Sequence, residues 1–196
     1  MEIDYDDFSD WYQNWQKVYD PLSTVPILEA MHKYKNLQSQ IKSNFHLEVK
    51  KGDLFKALNK TDIFSHSCNS RGVWGSGIAK IFHMRFPLAY QQYHTHLNKV
   101  GTGYVVEDNG YKIGCLITSK GYGSQVDSPD QIVQATYEAI KCLLLELSEK
   151  KYLTVTIHSP KINSGLFKTP WQKTKKAIKK ACEESSLNVN WIVWEL

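Results

Sequence analysis

The chain reads as an α/β domain of three layers, α/β/α, around a mixed, mostly parallel sheet, and three features of its 196 residues predict this. Stretches of period-two apolar patterning alternate with stretches of helical periodicity, an order that covers a sheet with helices on both faces. Asp108-Asn109-Gly110 between two strand patterns is a hairpin signal, so one strand pair is antiparallel. Ser65 to Ala79 runs from a buried strand through a polar turn into a helix behind Gly75 and Gly77, a layout that cradles anions on backbone N–H groups.

The elements follow in order. Residues 1–44 form an acidic, aromatic-rich extension, with Tyr5, Phe8, Trp11, Trp15 and Tyr19 among six acids and one lysine up to Asp20. It is too aromatic for an ordinary disordered tail and is expected to pack on the domain of residues 45–196. Phe45, Leu47 and Val49 alternate with polar residues as a strand that Gly52-Asp53 ends. Ile63 to Ser67 is the next strand. Ile78, Ile81 and Phe82 share a helical face until Pro87, and a short helix follows over Leu88–Asn98. Tyr104–Glu107 and Tyr111–Thr118 are the hairpin strands. Ser128-Pro129-Asp130-Gln131 opens the clearest helix with a capping box, continued by the apolar stripe from Ile132 to Leu147. Tyr152–His158 is a strand, Thr169-Pro170-Trp171-Gln172 caps a further helix in the same manner, and Asn188–Glu195 is the last strand.

Composition bounds the function. With 42% hydrophobic residues the chain can bury one substantial core. It has no run of about 18 apolar residues and no basic, apolar start, so no membrane partner is expected and the location is intracellular, cytoplasmic or nuclear. Cys68, Cys115, Cys142 and Cys182 are widely spaced within buried patterns, which fits a reducing compartment better than disulfides or zinc. His94 and His96, two apart on a helix, point to different faces; no metal and no cofactor are expected. Lys161, Lys168, Lys173, Lys175, Lys176, Lys179 and Lys180 form a basic stretch, but the aromatic residues cluster in the acidic head, a poor layout for stacking bases, so nucleic acid is not an expected partner. The expected state is a monomer.

The glycine turn is neither a dinucleotide fingerprint, which needs a third glycine, nor a P-loop, since Ile78 and Ala79 stand where Lys and Ser/Thr would open the helix. A cysteine phosphatase would carry arginine six positions after Cys68, where Trp74 stands, so the thiol reads as a wall rather than a nucleophile. Lys51-Gly52-Asp53-Leu54-Phe55, Ser67-Cys68-Asn69, Gly72-Val73-Trp74-Gly75-Ser76-Gly77-Ile78-Ala79, Pro160-Lys161-Ile162-Asn163-Ser164-Gly165-Leu166-Phe167, Pro170-Trp171 and Val193-Trp194-Glu195-Leu196 occur in that order. In these blocks the chain resembles the macro-domain superfamily, specifically the ADP-ribose 1''-phosphate phosphatase family described from fungi.

The resemblance implies a phosphoric monoester hydrolase that binds ADP-ribose 1''-phosphate or ADP-ribose. It gives Asp53, with the Leu54 backbone, to the adenine amino group, and Asn69, beside Ser67 and Cys68, to the distal ribose. It gives Trp74, Gly75, Ser76, Gly77, Ile78 and Ala79, with Asn163, Ser164, Gly165, Leu166 and Phe167, to two loops that clasp the diphosphate and distal sugar from opposite sides. Catalysis would fall to His66, which precedes Ser-Cys-Asn and titrates near neutrality, and to Asp127 in the loop after Thr118, dividing acid and base roles. Two alternatives use the same span. A deglycosylase branch places a lysine and an aspartate where this chain has Ser119, with Lys120 beside it, and Phe167; a reader of ADP-ribose needs neither His66 nor Asp127.

Overall fold

A computed structural model describes residues 44–195 and, ahead of them, Gln13 alone. The extension expected over residues 1–44 therefore falls, but for Gln13 and Asn44, outside the described residues. Among the described residues the strands are β1 (Phe45–Lys51), β2 (Ile63–Asn69), β3 (Gly103–Asp108), β4 (Tyr111–Ser119), β5 (Thr154–Pro160) and β6 (Asn188–Glu195). The helices are α1 (Gly77–Arg85), α2 (Pro87–Thr95), α3 (Pro129–Glu149) and α4 (Trp171–Glu183), with short 3-10 turns at Leu54–Ala57 and Gly123–Gln125. The sheet runs β1-β6-β5-β2-β4-β3, and every neighbouring pair is parallel except β3 against β4.

Strand alternation sorts side chains into two cores. Ile63, Leu116, Ile157, Val189, Trp191 and Val193 face the stripe of α3 and the inner face of α4. Phe64, Cys68, Cys115 and Ile117 face the opposite layer, where Trp74, Phe82, Phe86, Ala89 and Tyr93 pack from α1, α2 and the turn before them. This is the three-layer α/β/α order. Trp74, Trp191, Tyr93 and Phe82 are wholly buried, so each anchors its layer with a large apolar area.

Local signals explain most boundaries. Asn109 (φ 51°) and Gly110 (φ 85°) take the left-handed conformations that a two-residue hairpin turn demands. Ser128 Oγ accepts from Gln131 N–H while the Gln131 side chain accepts from Ser128 N–H, the expected capping box. The second expected cap does not form. Pro170 stands at the N-cap of α4 without a side-chain hydrogen bond, and Thr169 instead donates its hydroxyl to Phe167 O (3.4 Å) and its N–H to Asn163 O (3.0 Å). Thr169 thus closes the loop before the helix rather than capping it. Cys142, expected to be buried, is exposed, because it lies off the apolar stripe of α3.

No helix among the described residues is long and apolar enough to cross a membrane. β1, β2, β4, β5 and β6 all end at one edge of the sheet, and the segments that follow β2, β4 and β5 meet there. In parallel α/β sheets this edge is where ligands bind.

Candidate active site

A cavity of about 470 Å³ opens at this edge. Its floor carries Ser67 and Asn69 at the end of β2; one lip is Val73 and Gly75 to Ala79, the other Pro160 to Asn163 with Gly165 to Phe167, and Tyr122 closes a side.

The first lip is built to leave donors free. α1 starts at Gly77 behind Ser76, whose side chain makes no capping bond, so the first-turn amides keep their N–H groups for a ligand at the positive end of the helix. Gly77 is at φ +57°, and a Cβ there would stand 3.2 Å from Leu166 Cδ1 on the opposite lip. Only glycine enters the helix here without strain and without narrowing the cleft.

Asn69 organises its own turn. Its amide donates to Val73 O (2.7 Å) and its oxygen accepts from Arg71 N–H (3.0 Å) and Val73 N–H (3.4 Å). Tyr93 donates to Asn69 O (2.6 Å), and His94 Nδ1 donates to Gly72 O (2.9 Å), so α2 props the turn from below. Across the cavity, Asn163 (φ 65°) accepts from Thr118 (2.8 Å) and donates to Thr136 (2.8 Å), which locks the second lip to β4 and α3.

The two expected catalytic side chains lie elsewhere. His66 is wholly buried, its ring stacked on Phe82 (4.3 Å between centroids) and edge-on to Trp74 (4.6 Å), and it is not among the cavity-lining residues. The reason is strand alternation: Phe64, His66 and Cys68 face the α1–α2 layer, whereas Ser67 comes up at the floor. Asp127 does not line the cavity either. Its Oδ2 accepts from Lys120 N–H (2.6 Å) and from the Ser119 hydroxyl (3.3 Å), while Ser119 Oγ accepts from Asp127 N–H (3.1 Å). Asp127 thereby buckles the loop that carries Tyr122.

Cys68, expected as a wall of the pocket, is buried and not among the lining residues, and its sulfur accepts from the Trp74 indole (3.3 Å). Burial pushes its thiol up, but hydrogen bonding with Cys115, the His66 ring and that indole outweigh burial and hold it below its ordinary value; the Cys115 thiol is pushed up by burial. Trp74 and Cys68, both expected at the ligand, belong instead to the core under α1 and α2 and do not line the cavity. Asp53 and Leu54 lie outside the lining as well: Asp53 caps the turn Leu54–Ala57 by accepting from Phe55 N–H (2.9 Å), and Leu54 is buried. Ser164 lies between the lining residues Asn163 and Gly165.

Sequence reasoning did not single out Tyr122, Val73, Pro160, Lys161 or Ile162 as contacts. Gly121-Tyr122-Gly123 after a strand was a usable signal, an aromatic ring held between two glycines in a loop at the ligand edge. Among the described residues, the cavity lining includes no histidine and no carboxylate; its polar side chains are Ser67, Asn69, Ser76, Tyr122, Lys161 and Asn163.

Comparison with known proteins fits this geometry. The family model described as Macro domain matches residues 65–178. An ADP-ribose 1''-phosphate phosphatase of Candida albicans is 37% identical over 142 residues, spanning 65% of this chain and 88% of that protein. Among solved structures, the macrodomain of Mycobacterium tuberculosis DarG superposes with a TM-score of 0.64 at 18% identity, over 78% of this chain and 99% of its own. Thermosipho africanus DarTG in complex with ADP-ribose gives 0.60 at 17% identity, over 80% of this chain and 43% of that one, and these two likenesses speak to the fold. The family match over most of the domain, joined to a cleft between the free helix start at Gly77 and the loop after β5, means that this chain belongs to the macro domain family.

Proposed function

We propose that the chain is a phosphoric monoester hydrolase that binds ADP-ribose 1''-phosphate in this cleft and releases inorganic phosphate and ADP-ribose. The observation that carries the reading is the uncapped start of α1 at Gly77 facing Leu166 across the cleft, in a chain whose curated relatives are named for this activity.

In this reading the diphosphate sits on the N–H groups of Gly77 to Ala79, under the lip of Gly165 to Phe167. The distal ribose lies toward the Asn69 turn and Asn163, and the adenine end toward Asp53 and Leu54. One Asp53 oxygen is committed to Phe55 N–H, and the proposal gives the other to the adenine amino group. Water forms a bond to phosphorus as the bond to the sugar oxygen breaks, and that oxygen leaves with a proton as the hydroxyl of ADP-ribose. Phosphoryl transfer draws on placement and charge stabilisation more than on covalent chemistry, which suits a cleft of amide donors. His66 and Asp127 then act as positioning residues, His66 through Trp74 and Asp127 through the loop that holds Tyr122.

The test is to incubate the purified chain with ADP-ribose 1''-phosphate and follow phosphate and ADP-ribose together, beside Asp127→Asn over a range of pH. Equal release of both products is expected, with kcat/KM lowered about tenfold or more in the variant and the shape of its pH profile unchanged. Tight ADP-ribose binding without turnover would leave a reader of ADP-ribose, and loss of one limb of the pH profile would make Asp127 an acid–base group.

A further inference from the structure

Among the described residues the cleft's anion cradle is the start of α1, while a phosphate ester of ADP-ribose presents a further, dianionic group beyond the diphosphate. That group needs a cationic partner of its own at the rim where the distal ribose ends. Lys161 lines the cavity but is paired with Glu195 (2.8 Å). The rim formed by the ends of β2 and β4 offers a different cation. Ser70 donates from its N–H to Ser119 O (2.9 Å) and from its hydroxyl to Lys120 O (3.1 Å), so the turn after β2 and the loop after β4 are stitched together. Arg71 follows directly. Its N–H is fixed on Asn69 Oδ1 (3.0 Å), and its guanidinium lies over the ring of Tyr122, 5.9 Å from the centroid. Asn69 and Tyr122 both line the cavity, and Arg71 itself is exposed with no acidic partner among the described residues.

We propose that Arg71, placed over the Tyr122 ring at this rim, is the specificity residue that recognises the terminal phosphate and separates ADP-ribose 1''-phosphate from ADP-ribose. The inference rests on the reading that the cleft takes this ester. The planar fork of a guanidinium can donate two parallel hydrogen bonds to phosphate oxygens, and the cation-π attraction of the Tyr122 ring favours a guanidinium on the cavity side of the rim. Lys120, also exposed on the stitched rim, adds charge without that geometry. The position belongs to this chain's own turn, Ser70-Arg71-Gly72, rather than to the glycine loop that holds the diphosphate.

The experiment is calorimetric titration of the full chain with ADP-ribose and separately with ADP-ribose 1''-phosphate at low temperature, before turnover is appreciable, for the wild type, Arg71→Gln and Arg71→Lys. Arg71→Gln is expected to weaken the ester about ten- to hundredfold and leave ADP-ribose unchanged, with Arg71→Lys recovering part of the loss. Equal weakening of both ligands would overturn the proposal and make Arg71 a brace for the Asn69 turn; no change for either would overturn it and leave the side chain no part in binding. The same titration separates this failure from failure of the underlying reading. A wild type that binds the ester no better than ADP-ribose overturns the assignment of Arg71 whether or not phosphate is released. A wild type that discriminates through Arg71 but never releases phosphate keeps the assignment and discards the phosphatase.

Discussion

At Gly77 the backbone enters the left-handed region, and the missing side chain leaves Leu166 room across the cleft. Replacing it with alanine costs about 1 kcal/mol in backbone strain and pushes a methyl into the space a phosphate would use. Gly77→Ala is therefore expected to raise the Kd for ADP-ribose about tenfold or more in calorimetry while the chain stays folded by circular dichroism; unchanged affinity would detach the α1 start from ligand binding. Residues such as Gly77 and Asn163 were legible in the sequence because their roles are local, a turn entered at positive φ or a loop following a strand. The side-chain directions of His66 and Asp127 were not. Which face of β2 points at the cleft depends on how the sheet packs, and the carboxylate that reads as an acid is spent on Lys120 N–H and Ser119. Arg71 escaped notice because its meaning arises from Tyr122, fifty-one positions away in the chain but within 5.9 Å of its guanidinium.

Elements are tied to each other by a polar thread below the site. Asn59 and Thr61 hydrogen-bond the Asp62 carboxylate ahead of β2, His158 Nε2 of β5 donates to it (2.9 Å), and the indole of Trp194 in β6 donates to His158 Nδ1 (3.0 Å). An indole can only donate, so the Nδ1 of His158 holds a lone pair and its Nε2 carries the hydrogen. Burial alone would raise the Asp62 carboxyl, but the bonds from Asn59, His158 and Thr61 outweigh it and hold it below its usual value. A carboxyl lowered on folding adds stability that is present above the unfolded aspartate pKa, about 4, and is lost as pH falls through the lower folded value. Asp62→Asn is accordingly expected to lower stability at neutral pH by about 1 kcal/mol and to flatten the loss of stability below about pH 4, read from urea unfolding at several pH values. An undiminished acid slope in the variant would place the titration elsewhere. Periodicity and caps made most elements visible in the sequence, including the hairpin and α3. The start of α4 was misread because Thr169, which looks like a cap, is needed to close the loop around Asn163.

For the molecule as a whole, five parallel strands end at one edge, and this convergence makes a cleft from segments that begin as far apart as Asn69 and Pro160. That convergence was foreseeable, since a loop that follows a parallel strand has one edge to occupy. The side-chain directions within it had to come from the packing of two unlike cores, one led by the α3 stripe and one by Trp74 and Phe82. The central claim is that the cleft holds the diphosphate on the start of α1 with the distal sugar toward the Asn69 turn. The most direct measurement is a crystal structure of the chain with ADP-ribose. Diphosphate oxygens within about 3 Å of the Gly77 to Ala79 N–H groups, with the distal ribose beneath Tyr122 and Arg71, are the predicted result. A ligand lying reversed in the cleft, or seated away from it, would contradict the account.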